Sequence, residues 1–478
     1  MTDSPSTEGA AAPGSPEAGL GPAVIGKREL MAVGVNGVAS QSVAQAYEGQ
    51  LLYFTTNALG LPIALAGYLS LIVTFWDAVN DPLVGHIANN RVFKSGERIR
   101  PYFKWFTPFF VIFGILVFTV PDLPIWGKFC FALAIRMVYD FALTFLEMPM
   151  TALRVLQSPY SRDRVALNQY YTVGGTIGIG VGSVLFVPLV LAIGGSDGQG
   201  GIANPALGFF GAVAVFYAMF GCTLYLYYFN SRERVKSRHA GSEFRKDKLW
   251  PTLAALCRTK VWPVQVVFKF LNALCSMTIV ATLSYFCQYV MGDLSWVPIT
   301  MMAFLLGGLA VVPFAKPLAA KVTVRGLLII AGLAFTVSKI AFVAAPEAIS
   351  VLMANALLTG VAVALSNVGL GVYDAYVGDV VEMSYKKRAD GMIFALGSFF
   401  RKSCYALTTF GITQWLAAAG FDAELVAQND GALNVLKAML GWVPLAPSIL
   451  FLLIAWFFMV EKQAKQIHAA EGVAIAEA

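Results

Sequence analysis

Roughly twelve stretches of this chain are apolar over the ~20 residues a helix needs to cross a bilayer. They fall at about 31–58, 62–89, 102–120, 127–156, 165–193, 207–229, 263–291, 297–320, 324–345, 348–381, 392–419 and 434–460. No other feature restricts the fold as strongly. Backbone in hydrocarbon must satisfy its own polar groups, so spans of this length are helices. Only 13% of the 478 residues are charged, about half the ~25% usual in a soluble domain. The expected fold class is therefore all-α: a polytopic membrane protein with twelve transmembrane helices.

The loops set the orientation. One alternating set is basic: Arg91, Lys94, Arg98, Arg100 and Lys104, then Arg162 and Arg164, then Arg232 to Lys248, then Lys321 and Arg325, then Lys386, Lys387 and Arg388. The other set carries acids or nothing, among them Asp122, Asp197, Asp293, Glu347 and Asp422. Basic loops stay cytoplasmic, which puts both termini inside. The net charge of +6 is then a property of the inner loops and implies no nucleic-acid partner.

Residues 1–26 are rich in Ala, Gly, Pro and Ser, and lack a basic start and a continuous apolar core. They read as a disordered cytoplasmic tail, not a signal peptide. The longest loop, 231–262, is basic and polar and divides the chain into six-helix bundles at 27–230 and 263–461, with 462–478 a second cytoplasmic tail. A basic turn follows the second helix of each half. Two six-helix bundles around a central cavity are the expected arrangement.

Six cysteines and three histidines form no cluster with metal-ligand spacing, and no nucleophile–base or HExxH pattern lies at membrane depth. No enzyme and no cofactor are expected. The polar residues inside the spans are more informative, because an ionisable group near mid-bilayer costs roughly 2.5–3.5 kcal/mol and marks a pathway or a site. Asp77 and Asp81 lie one helical turn apart with Asn80 between them, in Trp76-Asp-Ala-Val-Asn-Asp-Pro-Leu-Val-Gly85. At i and i+4 both carboxylates leave one helix face, offering hard oxygens to a small cation or a shared site for a proton.

Gln41, Gln45 and Glu48 form a stripe at i, i+4 and i+7 that is expected to line a hydrated cavity. Asp140, Thr144 and Glu147 repeat that spacing on the 127–156 span, with Arg136 one turn before Asp140 and placed to neutralise it. Thr144 and Glu147 complete an oxygen cage if this span packs against the one carrying Asp77. Arg401 and Lys402 diverge by about 100° and cannot both face one cavity. Lys339 has no assigned role on sequence grounds.

These motifs resemble the glycoside–pentoside–hexuronide:cation symporters, the melibiose-permease-like branch of the major facilitator superfamily. The resemblance rests on Trp76–Gly85 with Gly96-Glu-Arg-Ile-Arg-Pro101, on Glu147-Met-Pro-Met-Thr-Ala-Leu153 running to Ser161-Arg-Asp-Arg164, and on Asp379-Val-Val-Glu382 with Lys387-Arg-Ala-Asp-Gly-Met392 and Lys402. It covers essentially the whole membrane region and implies the major facilitator fold. It also implies a cation site of Asp77, Asn80, Asp81, Thr144 and Glu147, with Asp77, Asp81, Thr144 and Glu147 as metal ligands if the ion is Na⁺.

The resemblance places Lys402 near both the cation and the sugar, and Asp379, Glu382 and Arg388 in a cytoplasmic gating network. The substrate side departs from the family. Gln41 stands where a sugar-binding aspartate is expected, Thr151 replaces a stacking tryptophan, and Thr172 sits about where an arginine binds sugar. The candidate substrate residues are thus Gln41, Gln45, Glu48, Asp140, Thr151, Thr172 and Lys402.

The expected function is cation-coupled symport, with Na⁺ or H⁺, of a small solute such as a sugar or glycoside, by alternating access in a bacterial inner membrane. The expected partners are the substrate and the lipid bilayer, and the expected state is a monomer. Symport of a lysolipid or another amphiphile is one alternative. A non-transporting sensor or scaffold is another, and it gives no reason for an intact cation motif.

Overall fold

The computed structural model describes residues 24–457 except 91–92, 94–96, 98, 159–160, 199–200, 235–256, 259–260, 386–389, 424 and 426; at several helical positions, among them Asp81, Asp379, Glu382, Arg401 and Lys402, it describes backbone alone. The helices are α1 (Lys27–Tyr53), α2 (Ile63–Asn90), α3 (Pro101–Val117), α4 (Ile125–Leu156), α5 (Ser161–Gly194) and α6 (Pro205–Asn230). They continue with α7 (Val261–Tyr285), α8 (Trp296–Ala344), α9 (Ile349–Tyr385), α10 (Asp390–Ala418), α11 (Asp430–Leu440) and α12 (Trp442–Phe457). Among the described residues, seven stretches are long and apolar enough to cross a membrane, and three shorter apolar helices, Ile63–Asp77, Pro101–Val117 and Trp296–Val311, accompany them.

One expected boundary differs in form. The spans at 297–320 and 324–345 are two helices, grouped here as α8, that break where expected: Thr323 leaves the helical region at φ 65° and ψ 165°, and its hydroxyl accepts the Gly326 N–H at 3.4 Å where the next helix begins. The 434–460 span is instead interrupted at Gly441, which separates α11 from α12. The first of these two begins at an Asn429 side chain that accepts the Ala432 N–H at 2.7 Å, an N-cap that ties down an otherwise orphaned donor.

Small residues let the helices approach closely where hydrophobic burial gives little drive for association. Gly174, Gly178 and Gly182 recur every four residues on α5, and a Cβ at each would strike the α1 backbone at Gly34, Val38 and Ser42 respectively. The Ser42 hydroxyl donates to the Gly178 carbonyl across the same seam at 3.0 Å. Gly307 on α8 and Gly360 on α9 meet the facing backbones at Leu357 and Phe304 in the same way. Between those two helices Lys339 is fully buried and donates to Asn355 Oδ1 at 2.9 Å and Thr359 Oγ1 at 3.1 Å. This buried cation is held by neutral oxygens from the next helix.

Contacts between α1–α6 and α7–α12 run through α1 with α7, α2 with α10 and α5 with α8. α1 and α7 end alike. Each passes into a π-helical turn, Phe54–Ala58 and Phe286–Val290. Each turn is followed by a left-handed glycine, Gly60 at φ 74° and Gly292 at φ 75°. The sequence echoes this, with Leu51-Leu-Tyr-Phe54 matching Leu283-Ser-Tyr-Phe286 at the same distance from the glycine. The two turns face each other and bond reciprocally. Tyr53 donates to Gln288 and Thr56 pairs with the Tyr285 hydroxyl, while Asn57 donates to the Tyr289 hydroxyl at 2.6 Å.

The opposite ends of the first six helices are tied by charge. Arg234 forks onto both oxygens of Glu29, at 2.6 and 2.9 Å, and these hydrogen bonds hold its pKa above the ordinary guanidinium value. Glu233 accepts the backbone N–H groups of Ile99 and Arg100 at 2.7 and 2.6 Å, covering donors at the start of α3.

Candidate functional site

α2 and α4 pack together, as the cation-cage expectation required. The Trp76 indole donates to the Met137 carbonyl at 3.0 Å. One turn further along α2, Asn80 is fully buried and its Nδ2 donates to Thr144 Oγ1 at 2.9 Å and to the Asp140 carbonyl at 3.4 Å. Thr144 Oγ1 itself donates to the Asp140 carbonyl at 3.0 Å.

This polar knot leaves one group over. Asn80 Oδ1 is buried and has no hydrogen-bond partner among the described residues, an arrangement that costs about 1–3 kcal/mol unless something else supplies the positive end. Proline adds two further oxygens. Pro82 and Pro149 lie within α2 and α4 and carry no N–H, so the carbonyls of Ala78 and Phe145 lose their helical donor. An amide oxygen, a hydroxyl, two released carbonyls and nearby carboxylates are the donor set of a hard cation.

Asp77 and Glu147 both line the principal cavity, of about 180 Å³, together with Gln41, Glu48, Asp140 and Thr144. Asp77 is half-buried and Glu147 is exposed at the rim, while Asp140 and Thr144 are buried. Among the described residues no cluster of three or more His, Cys, Asp or Glu stands ready as a metal site. The oxygens around Asn80 are mostly amide, hydroxyl and backbone atoms, the set suited to a weakly held ion. The side chain of Asp81 lies outside the described residues, as do those of Lys402, Asp379 and Glu382 and the whole of Arg388.

The structure does not gather every expected substrate residue. Gln45 lines a separate small cavity with Gly182, Val280 and Met301. At 100° per residue Gln45 is rotated about 60° from Glu48, enough to leave the stripe and turn to the α5 and α7 side. Thr151 is exposed and lies within 3.4 Å of the Arg154 guanidinium. Thr172 is exposed and donates to the Asn168 carbonyl at 2.8 Å. Neither lines the principal cavity. The buried Arg154 spans the gap between them, bonding Asn168 at 3.1 Å and lying 4.0 Å over the Tyr171 ring.

Sequence reasoning passed over three lining residues, Tyr47, Tyr139 and Tyr405. Tyr47 adjoins Glu48, yet a tyrosine in an apolar run gives no periodic polar signal. Tyr405 comes from α10 and donates to the Glu48 carbonyl at 2.9 Å, a contact between distant segments that spacing along one helix cannot reveal. Arg136, one turn before Asp140 and expected to neutralise it, lines the cavity beside it.

Long apolar helices in two connected groups, enclosing an acid-rich cavity at the level where α2 meets α4, define a multi-pass membrane transporter. A model of the family described as MFS/sugar transport protein matches residues 32–462, and the chain belongs to that family. Its relatives agree with the resemblance read from the motifs. The isoprimeverose transporter of Lactiplantibacillus pentosus is 26% identical over 88% of each chain. The inner membrane symporter YicJ of Escherichia coli (strain K12) is 26% identical over 90% of this chain and 91% of its own. Among solved structures, a D-xylose-proton symporter superimposes with a TM-score of 0.64 at 14% identity, covering 91% of this chain and 98% of that one. The nucleoside transporter NupG gives 0.60 at 10% identity, over 91% of this chain and 100% of that one. At such identities these two likenesses concern the fold alone.

Proposed function

We propose that the protein is a cation-coupled symporter of a glycoside or small sugar, working by alternating access between lobes at 27–230 and 263–461 joined by the 231–262 linker. The observation that carries this reading is the α2–α4 knot. Asn80 Oδ1 is left buried and unpartnered beside two carboxylates, Asp77 and Glu147, that share one cavity.

Carboxylates gathered in a low-dielectric cavity repel one another, so a cation or proton entering with the substrate stabilises the loaded state. The ion is cargo, either Na⁺ or H⁺, and Asp77, Asn80, Asp81, Thr144 and Glu147 are its proposed ligands. Binding raises the population of the conformer that accepts substrate, and the two lobes then exchange the exposed side. No catalytic step is assigned to any residue, and the loop charges support cytoplasmic termini in a bacterial inner membrane.

The test is uptake into proteoliposomes under an imposed Na⁺ or proton gradient, with a panel of radiolabelled pentosides and hexosides beside a lysolipid. Gradient-driven accumulation of a sugar supports the reading. Accumulation of the lysolipid alone, or of nothing, overturns it. Asp77→Asn removes one charge at nearly constant volume and is expected to abolish accumulation while leaving the protein monodisperse. Undiminished accumulation by this variant removes Asp77 from the coupling site.

A further inference from the structure

The substrate-side departures leave a chemical gap, since a sugar is ordinarily gripped by charged groups in bidentate fashion and by an aromatic face, and Thr151 and Thr172 offer neither. Both properties recur elsewhere in the principal cavity. Arg136 lines it from α4 and is only 7% exposed. The guanidinium is a hydrogen-bonding neighbour of the Tyr47 hydroxyl on α1 and lies within electrostatic range of Tyr405 on α10. Arg136 Nε is nonetheless buried with no hydrogen-bond partner among the described residues. A charged donor left unsatisfied in a protein interior is costlier than a neutral one, so this nitrogen, beside the Tyr47 hydroxyl, is poised for an acceptor that enters with the ligand.

An aromatic wall stands beside it. Tyr47 stacks on Tyr139 with centroids 5.0 Å apart and planes at 26°. Two acceptors complete the chemistry, Glu48 and Asp140, which line the same cavity. Carboxylates and a guanidinium around one ring-sized space bind vicinal hydroxyls as paired donors and acceptors.

We infer that Tyr47 and Arg136, with Tyr139 stacked behind Tyr47 to hold its ring in place, form the glycosyl-binding subsite of this protein, replacing the positions vacated at Thr151 and Thr172. The inference rests on the transport reading above and deepens it. The charge balance also selects the ligand. Four acids, Glu48, Asp77, Asp140 and Glu147, line the cavity against the single described base, Arg136. A neutral glycosyl ring is therefore favoured over a uronide or sulfonated sugar, whose anion would meet this excess of negative charge.

The experiment measures KM and maximal rate of uptake in proteoliposomes for the best neutral glycoside of the panel and for its monodeoxy analogues. Wild-type protein, Arg136→Lys, Arg136→Gln and Tyr47→Phe are compared. Arg136→Gln is expected to raise KM tenfold or more, since charge-assisted hydrogen bonds are among the strong ones. Tyr47→Phe keeps the ring and the packing, and removes only the hydroxyl; it is expected to raise KM several-fold. In wild type one deoxy analogue suffers a matching loss, and in Tyr47→Phe that penalty disappears, which a purely structural role would not produce.

If the Arg136 variants fail to fold, the Tyr47→Phe analogue series decides alone. Unchanged KM in that variant with the deoxy penalties retained overturns the subsite while leaving transport standing. Preference of wild type for a uronide over its neutral counterpart overturns the ligand class. Wild-type protein that moves no glycoside overturns the transport reading, and the subsite with it.

Discussion

At the scale of single residues, the proposed cation motif is legible in the sequence because its members lie close together along the chain. Asp77, Asn80 and Asp81 stand within two turns of one helix, so the helical period alone places them near one another. Their contact with Thr144 depends on a second helix and was conditional until α2 and α4 were seen to pack. That contact gives a prediction. Asn80→Leu removes both the donor to Thr144 and the unpartnered oxygen at similar volume, so the helices keep their packing while the cage loses an oxygen. The cation concentration for half-maximal uptake is expected to rise at least tenfold, with the substrate KM at saturating cation changed far less. Titrating uptake against Na⁺ and against pH reads this directly, and equal shifts in both constants would show that Asn80 acts on folding alone. The Tyr47 and Arg136 pair was not legible for a simple reason. What counts there is the direction a side chain takes within the bundle, and a buried tyrosine in an apolar run looks the same whether it faces a neighbour or a cavity.

At the scale of elements, the spans were legible almost throughout, since bilayer thickness imposes helix length independently of packing. α8 breaks at the expected 321–323 boundary, where Thr323 takes a conformation costly for a β-branched residue and its hydroxyl accepts the Gly326 N–H of the following helix. The exception is the last span, where α11 and α12 are split by Gly441, which supplies weak helix propensity in mid-span. The α1–α5 seam rests on a four-residue glycine spacing present in the sequence, but glycines in an apolar run carry no polar signal and do not by themselves say which helix they face. The seam predicts a strong size dependence. A Cβ at Gly178 would meet the Val38 carbonyl, so Gly178→Leu must push α1 and α5 apart or twist both. Overpacking of this kind costs typically 1–3 kcal/mol. Thermal unfolding in detergent is expected to fall by several degrees for Gly178→Leu, and by a comparable amount for Gly174→Leu. A surface glycine with open space around it, Gly411, should tolerate the same change.

At the scale of the whole molecule, the paired ends of α1 and α7 tie the two groups of helices together at one end. Among the described residues, hydrogen bonds between the two groups of helices gather near the α1–α2 and α7–α8 loops. They include Gln50 with Ser284, Leu52 with Tyr285, Asn57 with Tyr289, and Gln414 with Ala64. The orientation proposed from the loop charges puts this end outside, where these bonds tie the two groups of helices together. The sequence repeat behind these bonds, Tyr53-Phe54 and Tyr285-Phe286, is too short to detect without the coordinates, because two tyrosines among eighteen carry little information. In the structure it is functional symmetry: Tyr53 reaches Gln288 while Tyr285 reaches Thr56, the same contact made twice about a pseudo-two-fold axis. Each net hydrogen bond contributes about 0.5–1.5 kcal/mol, so losing the Asn57–Tyr289, Thr56–Tyr285 and Tyr285–Leu52 bonds is worth about tenfold or more in the balance between conformers. Asn57→Ala combined with Tyr285→Phe is therefore expected to favour the outward-open state. A membrane-impermeant thiol reagent applied from outside should label a cysteine placed at Ser40, a cavity-lining position, about ten times faster in this background than with these hydrogen bonds intact. Equal labelling rates would mean that this end is held together by packing of the aromatic rings, in which case Tyr53→Ala and not the hydrogen-bond variants should open it.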